Sequence, residues 1–478
     1  MGSMSVQGEY ALYIDGRFIT GGGRLTEPVF DPATSEALGQ LPHATNDDLD
    51  AAAAAARAFP AWRDRSPLDR GRILHRTADL MRERIEVLAE ILTREQGKVL
   101  AESRVELAHA ADVIDWFAEE GRRAYGRVIA GRSQASRHMV LMEPVGPSLA
   151  LTPWNFPALT PSRKLGAGLG AGCTMILKAS EETPGTAIAI IRAFHDAGLP
   201  PGVANLVFGK PAEVSSRLIA NPVIRKISFT GSTAVGRHLL KLAADGVKRT
   251  TMELGGNAPA VVFADADLDK AIETLFAGKF RNAGQVCVSP ARFFVHESRY
   301  DAFVQGFSDR ARALRVGDGR TPGVGMGPLA NPRRKAAMEQ IAADAERHGG
   351  RITGASRPNG PGDFFMPTVV TGVSDDSLLM REETFGPIAP VVPFSTSEEL
   401  LRRANSVEAG LAGYAFTRSI ANARLVAQGL ECGMVGINSM EISAPETPFG
   451  GVKQSGHGQE GGMEGLQAFL NLKLVVEA

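Results

Sequence analysis

A chain of 478 residues exceeds what one hydrophobic core organises, so two or three domains are expected. Its 52 basic and 53 acidic side chains leave a formal net charge of −1, which excludes a field able to recruit nucleic acid or an anionic membrane. A composition 44% hydrophobic and 22% charged is that of a soluble globular protein.

No secretory signal is seen at the start, and Met1-Gly2-Ser3-Met4 reads as a cloning scar ahead of a native Met4. Residues 47 to 120 read as helical, beginning with the Ala51 to Ala56 run. Ser66-Pro67-Leu68-Asp69 supplies an N-cap, a first-turn proline and an acidic third position for a periodic stretch predicted to reach Lys98. A further helix is predicted from about Ala101 to Arg123.

From Met139 short apolar runs alternate with helical ones. Strands are predicted at Thr174 to Lys178, Asn205 to Phe208 and Arg225 to Phe229, with helices at Thr183 to Ala197, Glu213 to Ala220 and Thr233 to Ala244. That alternation implies parallel βαβ units and an α/β sheet able to hold a nucleotide. A second α/β series runs from Pro259 to about Asn438, and Phe469 to Val476 alternates like an edge strand. No apolar run reaches the length of a membrane span, since Lys178 ends the best candidate. Neither internal repeats nor low-complexity tracts are present.

Several short segments carry candidate chemistry, each with a plainer reading beside it. Phe229-Thr230-Gly231-Ser232 closes a strand and opens a helix, where free N–H groups attract a phosphate; it reads equally as a simple N-cap. It is not the G-x-G-x-x-G fingerprint, so a Rossmann reading must be of a variant. Lys178, Ser180 and Glu181 follow a strand, where ligands of open α/β sheets sit, or they form a solvated loop.

Cys173, Cys287 and Cys432 share no close spacing, which suits a reducing cytosol. Cys173 and Cys432 fit small buried hydrophobes. Cys287 differs because Gly284-Gln285 breaks a helical run just before it and leaves the thiol where a ligand can approach. Glu253, among apolar neighbours and ahead of Gly255-Gly256, is a candidate buried general base. Pro153-Trp154-Asn155-Phe156-Pro157 brackets an amide rigidly, as an oxyanion donor requires, or is an aromatic-anchored turn. The nine histidines have no ligand spacing, and none lies near Cys287 or Asn155 in sequence, so neither a metal nor a histidine base is indicated.

Taken in order, these segments resemble the aldehyde dehydrogenase superfamily over nearly the whole chain. The matching pieces are Pro153 to Pro157, Lys178 to Glu181, Phe229 to Ser232, Glu253 to Gly256, Gly284 to Cys287, Glu382 to Pro387 and Pro448 to Gly456. Departures are Asn257, where many relatives carry lysine, and Ala179, where many carry proline. The resemblance implies an α/β fold with a Rossmann-variant cofactor domain (residues 4–121 and 144–254) and an α/β catalytic domain (255–455). A small β oligomerisation element (122–143 and 465–478) would make a homodimer or homotetramer.

It also implies a catalytic set of Cys287, Glu253, Asn155, Lys164 and Glu460. Thr152, Trp154, Asn155, Lys178, Ser180, Glu181, Gly231, Ser232, Leu254, Glu383 and Phe385 would hold NAD or NADP. In that scheme a Cys287 thiolate attacks the aldehyde, Asn155 and the Cys287 N–H hold the oxyanion, and Glu253 activates water against the thioester. Ser289, two residues after the nucleophile, leaves no partner for a redox-switch disulfide.

Arginines at positions 163 and 281, with Ser443, resemble the carboxylate grip of succinate-semialdehyde dehydrogenases. Trp116 to Arg123 and Leu411 to Arg418 look equally like 2-oxoglutarate-semialdehyde dehydrogenases. An ω-carboxy semialdehyde is therefore the expected substrate, and a broad-specificity aldehyde dehydrogenase is the alternative. Glu253 disfavours a CoA-acylating dehydrogenase, and the missing histidine base disfavours a thioester hydrolase. A non-enzymatic binding protein would be expected to lose Cys287 or Glu253. The expected setting is cytoplasmic, without nucleic-acid or membrane partners.

Overall fold

The structure, a computed structural model, describes residues 10–133, 135–354 and 361–477. Met1 to Met4, with the first residues of the expected cofactor segment and residue 478, lies outside the described residues.

Five parallel strands form the heart of the first sheet, in the spatial order Ala204–Val207, Met175–Lys178, Ser148–Leu151, Lys226–Thr230, Arg249–Glu253. Numbered along the chain this is the doubly wound order 3-2-1-4-5. Met175–Lys178 and its neighbours are apolar runs buried on both faces, as helices covering a parallel sheet require. Two antiparallel additions were not foreseen. The hairpin Leu12–Ile14/Arg17–Ile19 joins one edge, and Gly456–His457 returns to pair with Arg249–Glu253 at the other. Strand order reverses between Ser148–Leu151 and Lys226–Thr230, so their carboxyl ends bring Thr152 and Gly231 to one crevice.

The predicted helix from Ser66 to Lys98 is two helices, Pro67–Glu83 and Ile85–Gln96. Ser66 caps the first by accepting from Asp69 N at 3.1 Å. Arg84, at φ −107°, ψ 10°, turns the chain so that Leu74 and Met81 before it, and Leu88 and Leu92 after it, reach one core. Gly97, at φ 96°, ends the second helix, and Leu100–Glu120 follows.

A second sheet takes seven strands, six of them parallel, with Arg351–Gly354 antiparallel at its edge. Arg127–Ala130, Arg137–Pro144 and Leu470–Glu477 form a small antiparallel sheet, and the last is an edge strand. The fold is thus α/β with a Rossmann-variant sheet, a second α/β layer and a small β element. Phe156 packs against the cores of both large sheets and marks where they meet.

Candidate active site

Cys287 lies at that junction, just before the strand Pro290–His296. The preceding helix, Leu268–Phe280, stops earlier than expected. Asn282 and Ala283 take left-handed backbone at φ 50° and 52°, ahead of Gly284 at 72°. Left-handed alanine is strained, and a dense local network holds it. Asn282 N donates to Glu102 Oε2 at 3.0 Å, and its Nδ2 donates to the Asn155 carbonyl at 3.0 Å. Gln285 Nε2 donates to Asn282 O at 3.1 Å while Ala330 N donates to Gln285 Oε1 at 3.0 Å. Gly256 is required by close approach, because a Cβ there would stand 2.5 Å from the Cys287 carbonyl oxygen.

Asn155 is buried beside this loop, and its Nδ2 donates to Gln285 O at 3.0 Å. Its own carbonyl accepts from the buried Lys98 Nζ at 2.8 Å. Lys98 also pairs with Glu106 at 2.5 Å, and Glu106 Oε1 accepts from Ala158 N and Leu159 N at the start of helix Leu159–Ala171. Sequence reasoning passed over Lys98, Glu102 and Glu106. The signal was present: Glu102, Glu106 and His109 form one polar stripe on Leu100–Glu120, at helical spacing.

Glu253 ends the strand Arg249–Glu253, only 2% exposed, with no hydrogen-bond partner on either carboxylate oxygen. Burial, with Glu460 nearby, holds it well above the usual carboxylate range against the opposing pull of Lys164 and Arg163. Glu460 is not bonded to Glu253. It pairs with Lys164, which also donates to Thr230 Oγ1 at 2.8 Å and Ser228 Oγ at 3.2 Å. The Cys287 thiol is pushed up to about 12 by burial and then by Glu383 and Glu253, which outweigh Arg163 and Arg281. In the absence of ligand that burial favours the neutral thiol over the thiolate.

The expected cofactor residues follow the carboxyl ends of the parallel strands of the first sheet, apart from Glu383 and Phe385, which come from the second α/β layer. Thr152 Oγ1 is buried without a partner. Ser232 caps helix Thr233–Ala244 by accepting from Val235 N at 3.4 Å, and Gly231 precedes it. Leu254 is buried, its N–H donating to Ser455 O at 2.9 Å. Lys178 pairs with Glu181 at 2.7 Å, and Gly209 N donates to Glu181 at 3.1 Å. Ser180 turns its hydroxyl onto Glu182, which Arg333 also engages. Glu383 accepts from Gly256 N at 3.0 Å and is raised by burial to about 7. Trp154 and Phe385 meet edge to face at 5.6 Å. A helix N-terminus, an unpartnered hydroxyl and a carboxylate beyond the strand ends fit a dinucleotide.

A cavity of about 600 Å³ opens onto Cys287 between Phe156, Leu159, Arg163, Arg281 and Ser443. Arg163 is buried, donates through Nη2 to Ser443 Oγ at 2.8 Å and Ser443 O at 3.3 Å, and lies 4.2 Å over the Phe449 ring. Arg281 is exposed and lies 5.7 Å over Phe156. The two arginines share the cavity, but only Arg163 holds Ser443. His109 lines it as well, a neighbour that linear spacing did not reveal. Among the described residues no helix is long and apolar enough to cross a membrane.

The model described as "Aldehyde dehydrogenase family" matches residues 18–475. The 4-(hydroxymethyl)benzenesulfonate dehydrogenase of Comamonas testosteroni is 47% identical over 448 residues, 94% of each chain. The NADP(+) succinate-semialdehyde dehydrogenase of Escherichia coli strain K12 is 43% identical over 462 residues, 96% of each. Among solved structures, succinate-semialdehyde dehydrogenase from Burkholderia pseudomallei superposes over 100% of both chains, with a TM-score of 0.97 and 45% identity.

Proposed function

The chain belongs to the aldehyde dehydrogenase family, and from that premise we propose that it oxidises an aldehyde whose far end carries an anion, foremost an ω-carboxy semialdehyde. One observation carries the reading. Arg163 is a buried cation with a neutral partner, Ser443, in the cavity that holds Cys287. The cavity's own buried acids are engaged elsewhere, Glu106 by Lys98 and Glu460 by Lys164. A buried guanidinium left in this way favours an anionic ligand. The relatives accord with it: two are named for a semialdehyde with a terminal carboxylate and one for an aryl sulfonate.

In the proposed reaction Cys287 Sγ attacks the carbonyl carbon as its proton passes to Glu253, whose unpartnered oxygens leave it free to accept. The oxyanion is held by the second Nδ2 hydrogen of Asn155 and by the Cys287 backbone N–H, which has no backbone acceptor among the described residues. NAD or NADP, when bound, supplies the hydride acceptor that turns the hemithioacetal into a thioester. Lys178, Glu181, Ser232, Glu383 and Phe385 would hold it, with Thr152, Trp154, Ser180, Gly231 and Leu254 lining its crevice. Once Glu253 has released that first proton to solvent, it takes one from a water that adds to the thioester carbonyl; the C–S bond breaks, the acid leaves, and the departing Cys287 sulfur takes the proton back from Glu253. Glu460, pinned by Lys164, keeps the base receptive through its charge.

Within the expected oligomerisation element, the exposed apolar side chains of Val128, Leu472 and Leu474 suit a second copy of the chain. Three free cysteines accord with a reducing cytosol. The test is a rate panel at 340 nm with NAD and with NADP. It spans succinate, glutarate and 2-oxoglutarate semialdehydes, a sulfonated benzaldehyde, propanal and benzaldehyde. The anionic aldehydes are expected to lead in kcat/KM, and neutral aldehydes matching them would refute the assignment.

A further inference from the structure

His109 sits in the wall of the substrate cavity, and the reaction proposed above makes no use of it. Its Nε2 is buried and has no hydrogen-bond partner. Helix Leu159–Ala171 brings Arg163 towards it, and the segment after Leu268–Phe280 brings Arg281. On its own helix Asp112 is paired with Arg82 at 2.7 Å, Glu106 is paired with Lys98, and Glu102 accepts from Asn282 N at 3.0 Å; from the Ser443 loop, Glu441 lines the same cavity. The loop at Ser443 offers its main-chain carbonyl, the same oxygen that Arg163 Nη2 reaches at 3.3 Å.

We propose that His109 is a positioning residue for the substrate's anionic end, binding a proton together with the terminal oxyanion of the aldehyde. The inference rests on the anion-end reading of the Arg163 pocket. In the free pocket, burial and two guanidinium groups keep the imidazole neutral, its protonation driven below the ordinary histidine range. A carboxylate or sulfonate seated between Arg163 and Arg281 cancels their field. The imidazolium then becomes affordable and can donate to the Ser443 carbonyl. That contact fixes the loop whose hydroxyl Arg163 holds at 2.8 Å. By linkage, anything that raises the proton's affinity on anion binding raises the anion's affinity by the same factor.

The sign follows. The free group titrates below the ordinary histidine value and the bound group above its free value. Anion affinity is therefore flat at high pH, climbs as pH falls between the two values by at most tenfold per unit, and levels off below the lower one. A neutral aldehyde shows no such linkage.

The experiment uses butanoate and propane-1-sulfonate, which carry the anion without the aldehyde, as competitive inhibitors of propanal oxidation from about pH 5.5 to 8. Wild-type inhibition constants are expected to fall with pH, and those of His109→Asn and His109→Gln to stay level. Calorimetry of butanoate binding to the wild type, in buffers of different ionisation heat, should register fractional proton uptake and needs no variant to fold. Level wild-type constants, no uptake, or a pH dependence surviving in both variants overturns the role of His109. If neither anion inhibits the wild type better than butan-1-ol at any pH, the anion pocket itself fails, and this inference with it.

Discussion

Arg163→Met keeps the length and most of the volume of the side chain while removing its charge. In the structure Arg163 donates through Nη2 to Ser443, its Nε is buried without an acceptor, and its face rests on Phe449. A charge-assisted hydrogen bond contributes about 1.5–3 kcal/mol, so losing the grip on a carboxylate should cost about 3 kcal/mol in the transition-state complex. At about 1.4 kcal/mol per decade this is a fall of roughly 150-fold in kcat/KM for succinate semialdehyde. Propanal makes no such contact. It should suffer only through the lost influence of Arg163 on Cys287 and Glu253, no more than about tenfold. Initial rates of cofactor reduction with both aldehydes, on one preparation, give the ratio directly. Equal losses for the two substrates would refute the assignment of Arg163 to the substrate's anion.

Three further outcomes are expected. Alkylation of Cys287 by iodoacetamide in the ligand-free enzyme should quicken by about tenfold per pH unit from pH 7 to 9 without levelling, because the thiol holds its proton to about 12; a plateau by about pH 8 would contradict that. Wild-type turnover should be lost as pH falls through the raised value of Glu253, since the base works only when ionised. Glu253→Gln should lower turnover by about 10²–10⁴-fold and abolish that acid limb, and an unchanged limb would assign it to another group. Lys98→Met strands the Glu106 carboxylate in the core, at a cost of about 3–5 kcal/mol, and should lower Tm by roughly 5–10 °C. Adding Glu106→Gln should recover part of the loss; a Tm equal to wild type in Lys98→Met would dismiss the pair as a structural element.

The alternation between residues 174 and 244 was legible because parallel strands buried on both faces must be short and continuously apolar, as Met175–Lys178 is. Strands of two or three residues, such as Leu12–Ile14 and Gly456–His457, give no periodicity to read, and their partners lie far along the chain. The split at Arg84 was hidden because both flanking segments keep helical spacing; only the direction of the chain changes. The break before Cys287 was placed at Gly284 because glycine advertises left-handed backbone. Asn282 and Ala283 adopt it under compulsion from Glu102, Asn155 and Gln285, which no local pattern could announce. The motif residues were picked out by type, whereas Glu102 and Glu106, which bond Asn282, Lys98 and Ala158, were lost with His109 within a helix that already explained itself as amphipathic.

The arrangement of charge around Glu253 turns on which carboxylate Lys164 pairs with. Had Lys164 bonded Glu253, the carboxylate would be locked in its ionised form and too weakly basic to take a proton from a thiol or from water. Instead Lys164 is committed to Glu460, Thr230 and Ser228. Glu253 is left buried, unbonded and facing a negative neighbour, so its affinity for a proton is raised where the proposed reaction would deposit one. Burial also raises the Cys287 thiol. Acid and base are thus raised together, and what matters for transfer is the difference between them.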